Sequence, residues 1–339
     1  MYQDVRRLLE TKDSTALLIN NGFERRALRG AELLDKIRFR PSRVVLLKYP
    51  GQEDQKHTIK ATNVAQRLAG DMATYREISC TDTGSQDAVL AELERRRDRV
   101  VCDITGLSRN LILRLLTVIY GRRLNFSLIY TEAKSYFPYQ AQFRKVLRRR
   151  EPSEAFIELA NYEATEIVYS SECDVQEISE LPGRIFPNHP VMLIAFLAFK
   201  RSRLSCILNQ YETNARILIE SDPVREDLKW RRKLMEIINF DLVDENRENI
   251  VKVPTLYWER TYQTLRDLYR EKEAKQRYNT LLAPLGGKMQ TVGAWYFAVR
   301  NPDVKVITST PRQHFQKKYS TGYTTTHLVC MDSVYDRQD

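Results

Sequence analysis

The sequence predicts an α/β protein of two tandem Rossmann-like units, each a mostly parallel sheet with helices on both faces. Three observations carry this expectation. Short, unbroken apolar runs alternate with amphipathic stretches along most of the 339 residues, as they do when strands are buried on both faces. Each run ends in a polar or glycine-containing turn before the next helical stretch, the pattern of βαβ units. The same order of elements then recurs in the second half, with little identity between the halves.

In the first half, TALLIN (Thr15–Asn20) predicts a strand and Asn21–Phe39 a helix. Arg43–Pro50 reads as the second strand, Asn63–Ala73 as a helix and Thr74–Cys80 as the third strand. Gln86–Asp98 is an amphipathic helix and Arg99–Gly106 a buried strand. Ser108, a good N-cap, opens a helix to Gly121, and Asn125–Glu132 is the next strand. The unit is expected to span residues 1–140. Residues 141–190 hold the basic run Phe143–Pro152 and a proline-containing stretch, which predicts a junction. The second unit is expected over 191–339. There the apolar run Val191–Phe199 reads as a short buried helix, followed by Lys200, Arg201 and Arg203. Ala215–Asp227 repeats the strand-and-turn pattern of Ala16–Ala27. A strand (Glu248–Thr255), a long helix (Leu256–Tyr278), a strand and turn (Leu281–Gly287), a helix (Met289–Val299) and a closing strand (Val304–Pro311) complete the unit, which ends in a basic and aromatic tail.

Hydrophobic residues at 42% and charged residues at 29% fit a globular protein rather than a disordered or fibrous one. No apolar run approaches a membrane span, and the N-terminal residues lack the apolar core of a signal peptide, so a cytoplasmic protein is expected. Five scattered cysteines without a C-x-x-C pair argue against a disulfide framework or a zinc site. The four histidines have no metal-ligand spacing, and no metal is expected to be bound. A net charge of +10 points to an anionic partner: a nucleotide, a nucleic acid or an acidic protein.

Ligands of open parallel sheets bind beyond the carboxyl ends of the strands. This singles out Glu24 and Arg25 after the first strand, and Asp103, Thr105, Ser108 and Arg109 after the fourth. In the second unit it singles out Glu220, Asp222 and Arg225, then Gly286, Gly287, Lys288 and Gln290. The glycine–lysine turn opens a helix whose N-terminal amides and dipole suit an anion. It is no P-loop: Leu282 stands where the first glycine belongs and Met289 where the magnesium-binding hydroxyl belongs. Two readings stand for it, a phosphate cradle and a plain helix start. The tail mixes Arg312, Lys317 and Lys318 with Phe315, Tyr319 and Tyr323, which suits stacking on a base while holding a phosphate. The bland reading of the tail is a surface loop. Catalysis has one weak pattern, Asp103 with Glu132 and Lys134, shaped like the carboxylate and lysine set of magnesium-dependent nucleases. Neither G-x-G-x-x-G nor G-x-S-x-G occurs where a redox or hydrolase fold would need it.

The turns in VVCDITGLSR and LAPLGGKMQ resemble those of the CRISPR-associated Rossmann fold and its relatives, which bind cyclic or linear oligonucleotide messengers. The chain also resembles tandem Rossmann-like proteins of bacterial defence islands. The resemblance rests on a GFE-x-R start (Gly22–Arg25), a glycine–lysine–glutamine turn (Gly287–Gln290) and a YS-x-G tail (Tyr319, Ser320, Gly322). It implies a nucleotide-binding sensor or regulatory subunit in anti-phage defence, with a partner protein from the same operon or a second copy of itself. In that reading Gly286, Gly287, Lys288 and Arg109 hold phosphate, Asp103, Glu220 and Asp222 orient ribose or base, and Phe315 and Tyr319 stack. Two alternatives stay open: a magnesium-dependent nuclease or nucleotide hydrolase, and a nucleic-acid-binding scaffold subunit using Arg148–Arg150 and the Lys317 pair.

Overall fold

The computed structural model describes residues 14–51, 56–160, 172–312 and 320–335. Within it the chain runs β1 (Thr15–Asn20), α1 (Arg29–Lys36), β2 (Arg43–Lys48), α2 (Lys56–Ala69), β3 (Thr74–Ser79), α3 (Thr83–Arg96), β4 (Arg99–Asp103), α4 (Arg109–Gly121), β5 (Phe126–Thr131) and the short β6 (Ser135–Tyr136). It continues through α5 (Arg144–Arg148), α6 (Pro152–Ala160), β7 (Cys173–Glu177), β8 (Val191–Phe196), α7 (Ser202–Gln210), β9 (Ala215–Asp222), α8 (Trp230–Ile238), α9 (Phe240–Glu245) and β10 (Ile250–Pro254). Last come α10 (Trp258–Glu271), α11 (Ala274–Arg277), β11 (Asn279–Ala283), α12 (Lys288–Arg300), β12 (Lys305–Pro311), β13 (Ser320–Thr321) and β14 (Thr326–Cys330).

Two six-stranded sheets result, ordered β14-β5-β4-β1-β2-β3 and β7-β12-β11-β8-β9-β10. In each, five strands are parallel and one edge strand is antiparallel: β14 on β5, and β7 on β12. The two orders are the same doubly wound arrangement, with β1 and β8 in the central first position. In the first sheet Leu17, Ile19, Val44, Leu46, Val101 and Ile129 pack against α1 and α2 on one face. Their alternates Leu18, Val45, Leu47, Val100 and Leu128 are equally buried, so both faces are covered.

The domain boundaries differ from those the composition suggests. The chain divides into one unit of residues 1–137 with 316–339, and a second of residues 138–315. Val304–Pro311 therefore does not close the chain. After β12 it returns to the first unit, where His327, Leu328 and Val329 pair with Tyr130, Ile129 and Leu128. Residues 141–190 are no loose junction either. Phe143 and Val146 of the basic run, with Ala155 and Leu159 of α6, bury against Leu234, Ile237 and Ile238 of α8, and β7 supplies the sheet's antiparallel edge. Amphipathic helices with few apolar positions read as solvated until a partner face is known.

The apolar run at Val191 is a second correction. Its first six residues form β8, the central strand, with Met192 to Phe196 almost wholly buried and paired on both sides by β9 and β11. A strand covered on both faces has no period-2 signature, and over six residues it cannot be told from a buried helix by pattern. The shift also moves the repeat. β8, not β9, is the counterpart of β1, and Ala215–Asp222 corresponds to β2.

Candidate functional site

In the second unit the turn Pro284–Gly287 joins the carboxyl end of β11 to α12, beside the carboxyl end of β8, where the strand order reverses direction. That is the topological switch point of such a sheet. Gly286 is buried against Phe196: a Cβ there would stand 2.8 Å from the Phe196 ring and 2.5 Å from Gln290 Oε1. Only a bare backbone passes. Gly287 is the N-cap of α12 and Lys288 its first residue, both half-buried.

Gln290, fully buried, ties three strand ends together. Its Oε1 accepts from the Gly287 N–H at 2.8 Å and from Ser221 Oγ of β9 at 2.9 Å, and its Nε2 donates to the Val253 carbonyl of β10 at 3.0 Å. This is the reciprocal half of a capping box. It corrects the expectation that the Gly287 amide itself grips a phosphate, because a side chain of the same helix already occupies that donor. Gly286, Gly287, Lys288 and Gln290 do come together as expected. Asp222 ends β9 and Arg225 lies beyond it, but each has its own partner: Asp222 takes Lys229 Nζ at 3.2 Å, and Arg225 pairs with the exposed Asp227.

Glu220 is 2% exposed and faces away from this tie, toward α8 and β10. Arg232 Nε lies 3.2 Å from Glu220 Oε1 outside hydrogen-bond geometry, and Lys252 Nζ lies 3.9 Å from Oε2. Burial, with repulsion from Glu236, pushes the Glu220 carboxyl up to about 7 against the pull of Arg232 and Lys252. Its partners are the chain's own cations, which leaves the ribose-orienting role without support.

The first unit brings its predicted turns together and then fills the space between them. Asn20, at the end of β1, donates to the Asp103 carbonyl at 3.0 Å and accepts from the Gly22 N–H at 3.0 Å. Gly106 passes so close that a Cβ would fall 1.9 Å from Asn20 Oδ1. Asp103 Oδ1 accepts from the Thr105 N–H, Thr105 Oγ1 from the Thr131 N–H, and Tyr49 Oη from the Ser108 N–H at 2.7 Å. Ser108 Oγ caps α4 by accepting from Leu111 N–H. The amides expected at an anion cradle are thus engaged internally. Ser108 and Arg25 remain exposed and Arg109 half-buried at the rim.

Arg26, one position past the Arg25 named from the sequence, is the buried residue of the GFE-x-R start. It donates to the Thr131 carbonyl at 2.7 Å, to Glu24 Oε2 at 3.0 Å and to Ser320 Oγ at 3.2 Å, and stacks near Tyr136 at 5.5 Å. Ser320 Oγ also donates to Glu24. Two motifs almost three hundred residues apart in sequence therefore meet, as a tie within the first unit. The signal for Arg26 was its place in the motif itself. Phe315 and Tyr319 lie outside the described residues, as do Lys317 and Lys318.

Each member of the nuclease-like set has surroundings of its own. Asp103 aims its Oδ2 at Gly30 of α1, Glu132 Oε1 pairs with His327 Nε2 at 2.7 Å, and Lys134 is exposed beside Gly322. Among the described residues no three His, Cys, Asp or Glu side chains group to hold a metal ion, and no helix is long and apolar enough to cross a membrane. In the basic run, Arg149 pairs with Glu158, and Lys233 caps the carbonyls of Leu147 and Arg149. Comparison with protein-family models finds no match, and comparison with curated proteins finds none either.

Proposed function

We propose that the protein binds a phosphorylated small ligand, a nucleotide or short oligonucleotide, at the switch point of its second unit, and serves as a sensor or regulatory subunit. One observation carries the reading: the bare Gly286–Gly287 backbone and Lys288 stand together at the first turn of α12, beside the carboxyl end of the central strand. The helix dipole and the positive charge of Lys288 both favour negative charge there. Gln290 holds the turn fixed, so that binding needs little reordering of the backbone. The first unit, whose strand-end amides are engaged internally, is the structural partner in this reading rather than a second ligand site. Support for the place of such a sensor in bacterial anti-phage defence comes from the resemblance in its glycine–lysine and GFE-x-R motifs.

The test is a thermal-shift panel of nucleoside mono-, di- and triphosphates, cyclic and linear oligonucleotides and inorganic phosphate. A ligand at a hundred times its Kd stabilises the folded state by about 2.7 kcal/mol. At least one nucleotide is expected to raise the melting temperature of the wild type and to lose about tenfold or more in affinity with Lys288→Ala, a change of about 1.4 kcal/mol. No shift across the panel, or an unchanged affinity in Lys288→Ala, overturns the reading.

A further inference from the structure

The five cysteines are scattered in sequence, but the second unit brings two of them together. Cys173 opens β7, opposite Pro311 of β12, and Cys206 stands one helical turn after Ser202 on α7. Cys173 Sγ lies 3.9 Å from Ser202 Oγ, so its side chain crosses from the sheet edge to the face of α7 that also carries Cys206. The Cys173 backbone N–H favours the Cys206 thiolate and the Cys173 thiol opposes it, an electrostatic interaction across the contact of β7 with α7. Side chains that meet across packed neighbouring elements can be joined by a disulfide where their Cα atoms lie about 4.4–6.8 Å apart. Both residues are half-buried, open to a small oxidant, whereas Cys80 and Cys102 are buried. Arg312, held by Asp174 and Glu172, places positive charge near Cys206. Burial and the neighbouring Cys173 thiol raise the Cys206 thiol above its ordinary value, and the Cys173 amide and Arg312 offset part of that rise.

We propose that Cys173 and Cys206 form a peroxide-oxidisable dithiol that closes to a disulfide between the edge strand β7 and helix α7. One thiolate attacks the O–O bond of hydrogen peroxide, forming a sulfenic acid and releasing hydroxide, which takes up the proton that the thiol lost. The second thiolate then attacks the sulfenic sulfur, the S–O bond breaks, and water leaves after protonation. Two thiols and one peroxide give one disulfide and two waters. The bond would pin β7 to the body of the unit at the place where β12 ends, and a thiol reductant would reverse it.

The test uses the reduced full chain, treated with hydrogen peroxide, denatured and titrated for thiols, with peptide mapping under non-reducing conditions. The expected result is a fall from five thiols to three, one cross-linked peptide pair carrying Cys173 and Cys206, and recovery of all five with dithiothreitol. Cys173→Ser is expected to form no intramolecular cross-link and to leave Cys206 trappable as a sulfenic acid by dimedone. Cys206→Ser, tested in parallel with circular dichroism to confirm its fold, is expected to form none either. Retention of five thiols, a cross-link through Cys330, or a Cys173→Ser variant that still loses a pair of thiols overturns the proposal.

Discussion

Arg26 and Gln290 perform the same task in their respective units: one buried side chain satisfies backbone and side-chain groups from several strand ends. Arg26 is 5% exposed, and burial opposes its charge, yet Tyr130, Glu24 and Tyr136 hold the guanidinium protonated more firmly than usual. Arg26→Met leaves the half-buried Glu24 without its cation and the Thr131 carbonyl without the Arg26 donor, and should destabilise the first unit by about 1 to 3 kcal/mol. A urea midpoint within error of wild type would contradict that assignment. Gln290→Ala leaves the Gly287 N–H and the Val253 carbonyl without their partner and should destabilise by about 1 to 3 kcal/mol. Glu220 gives a pH prediction. Its folded carboxyl titrates near 7, above the ordinary value of 4.5, so the folded state binds the extra proton between those limits. Stability contributed by that proton is fully present below about 4.5 and is lost as pH rises through about 7. Glu220→Gln should therefore flatten the decline in stability between pH 5 and pH 8, read by urea denaturation at each pH; parallel pH profiles for variant and wild type would refute the cause given.

At the scale of elements, most strands and helices were legible because their apolar periods are clear. β4, α4 and β5 stand within a few residues of the segments their patterns indicate, and Ser108 caps α4 as its residue type implies. β8 was not legible as a strand, because a six-residue run buried on both faces carries no alternation. β14 was missed for the opposite reason. Thr326–Cys330 is only partly apolar and half-buried, a sheet edge whose pairing with β5 depends on residues two hundred positions away. In the site, glycine and lysine marked the α12 turn, and Gln290 stands at the N3 spacing of a capping box, but a glycine N-cap has no side chain to complete the usual motif and so hides the signal. The edge strands give an element-scale prediction. Removing residues 320–339 uncovers the β5 edge, leaves Arg26 and Glu24 without Ser320, and leaves Arg99 without Asp332 at 2.6 Å. Hydrogen exchange should then accelerate in β5 and β4 of the first unit and stay unchanged in β8 and β11; equal protection of β5 with and without the tail would contradict the pairing.

For the whole molecule, two sheets of one topology carry different chemistry at the same topological position. In the first unit, Asn20, Asp103 and Tyr49 fill the strand-end turns and engage their amides. In the second, Gln290 engages the Gly287 amide in turn, but the turn is built of two glycines without side chains and Lys288 adds charge at the helix start. A net charge of +10 favours an anionic partner for the whole chain without choosing its site, so the choice falls to local geometry. The most direct measurement is isothermal titration of the best nucleotide from the thermal-shift panel into wild type, Lys288→Ala and Arg109→Ala. One site per chain is expected, weakened about tenfold or more by Lys288→Ala and unchanged by Arg109→Ala. Two equivalent sites, or a loss with Arg109→Ala and none with Lys288→Ala, would contradict the placement of the ligand in the second unit.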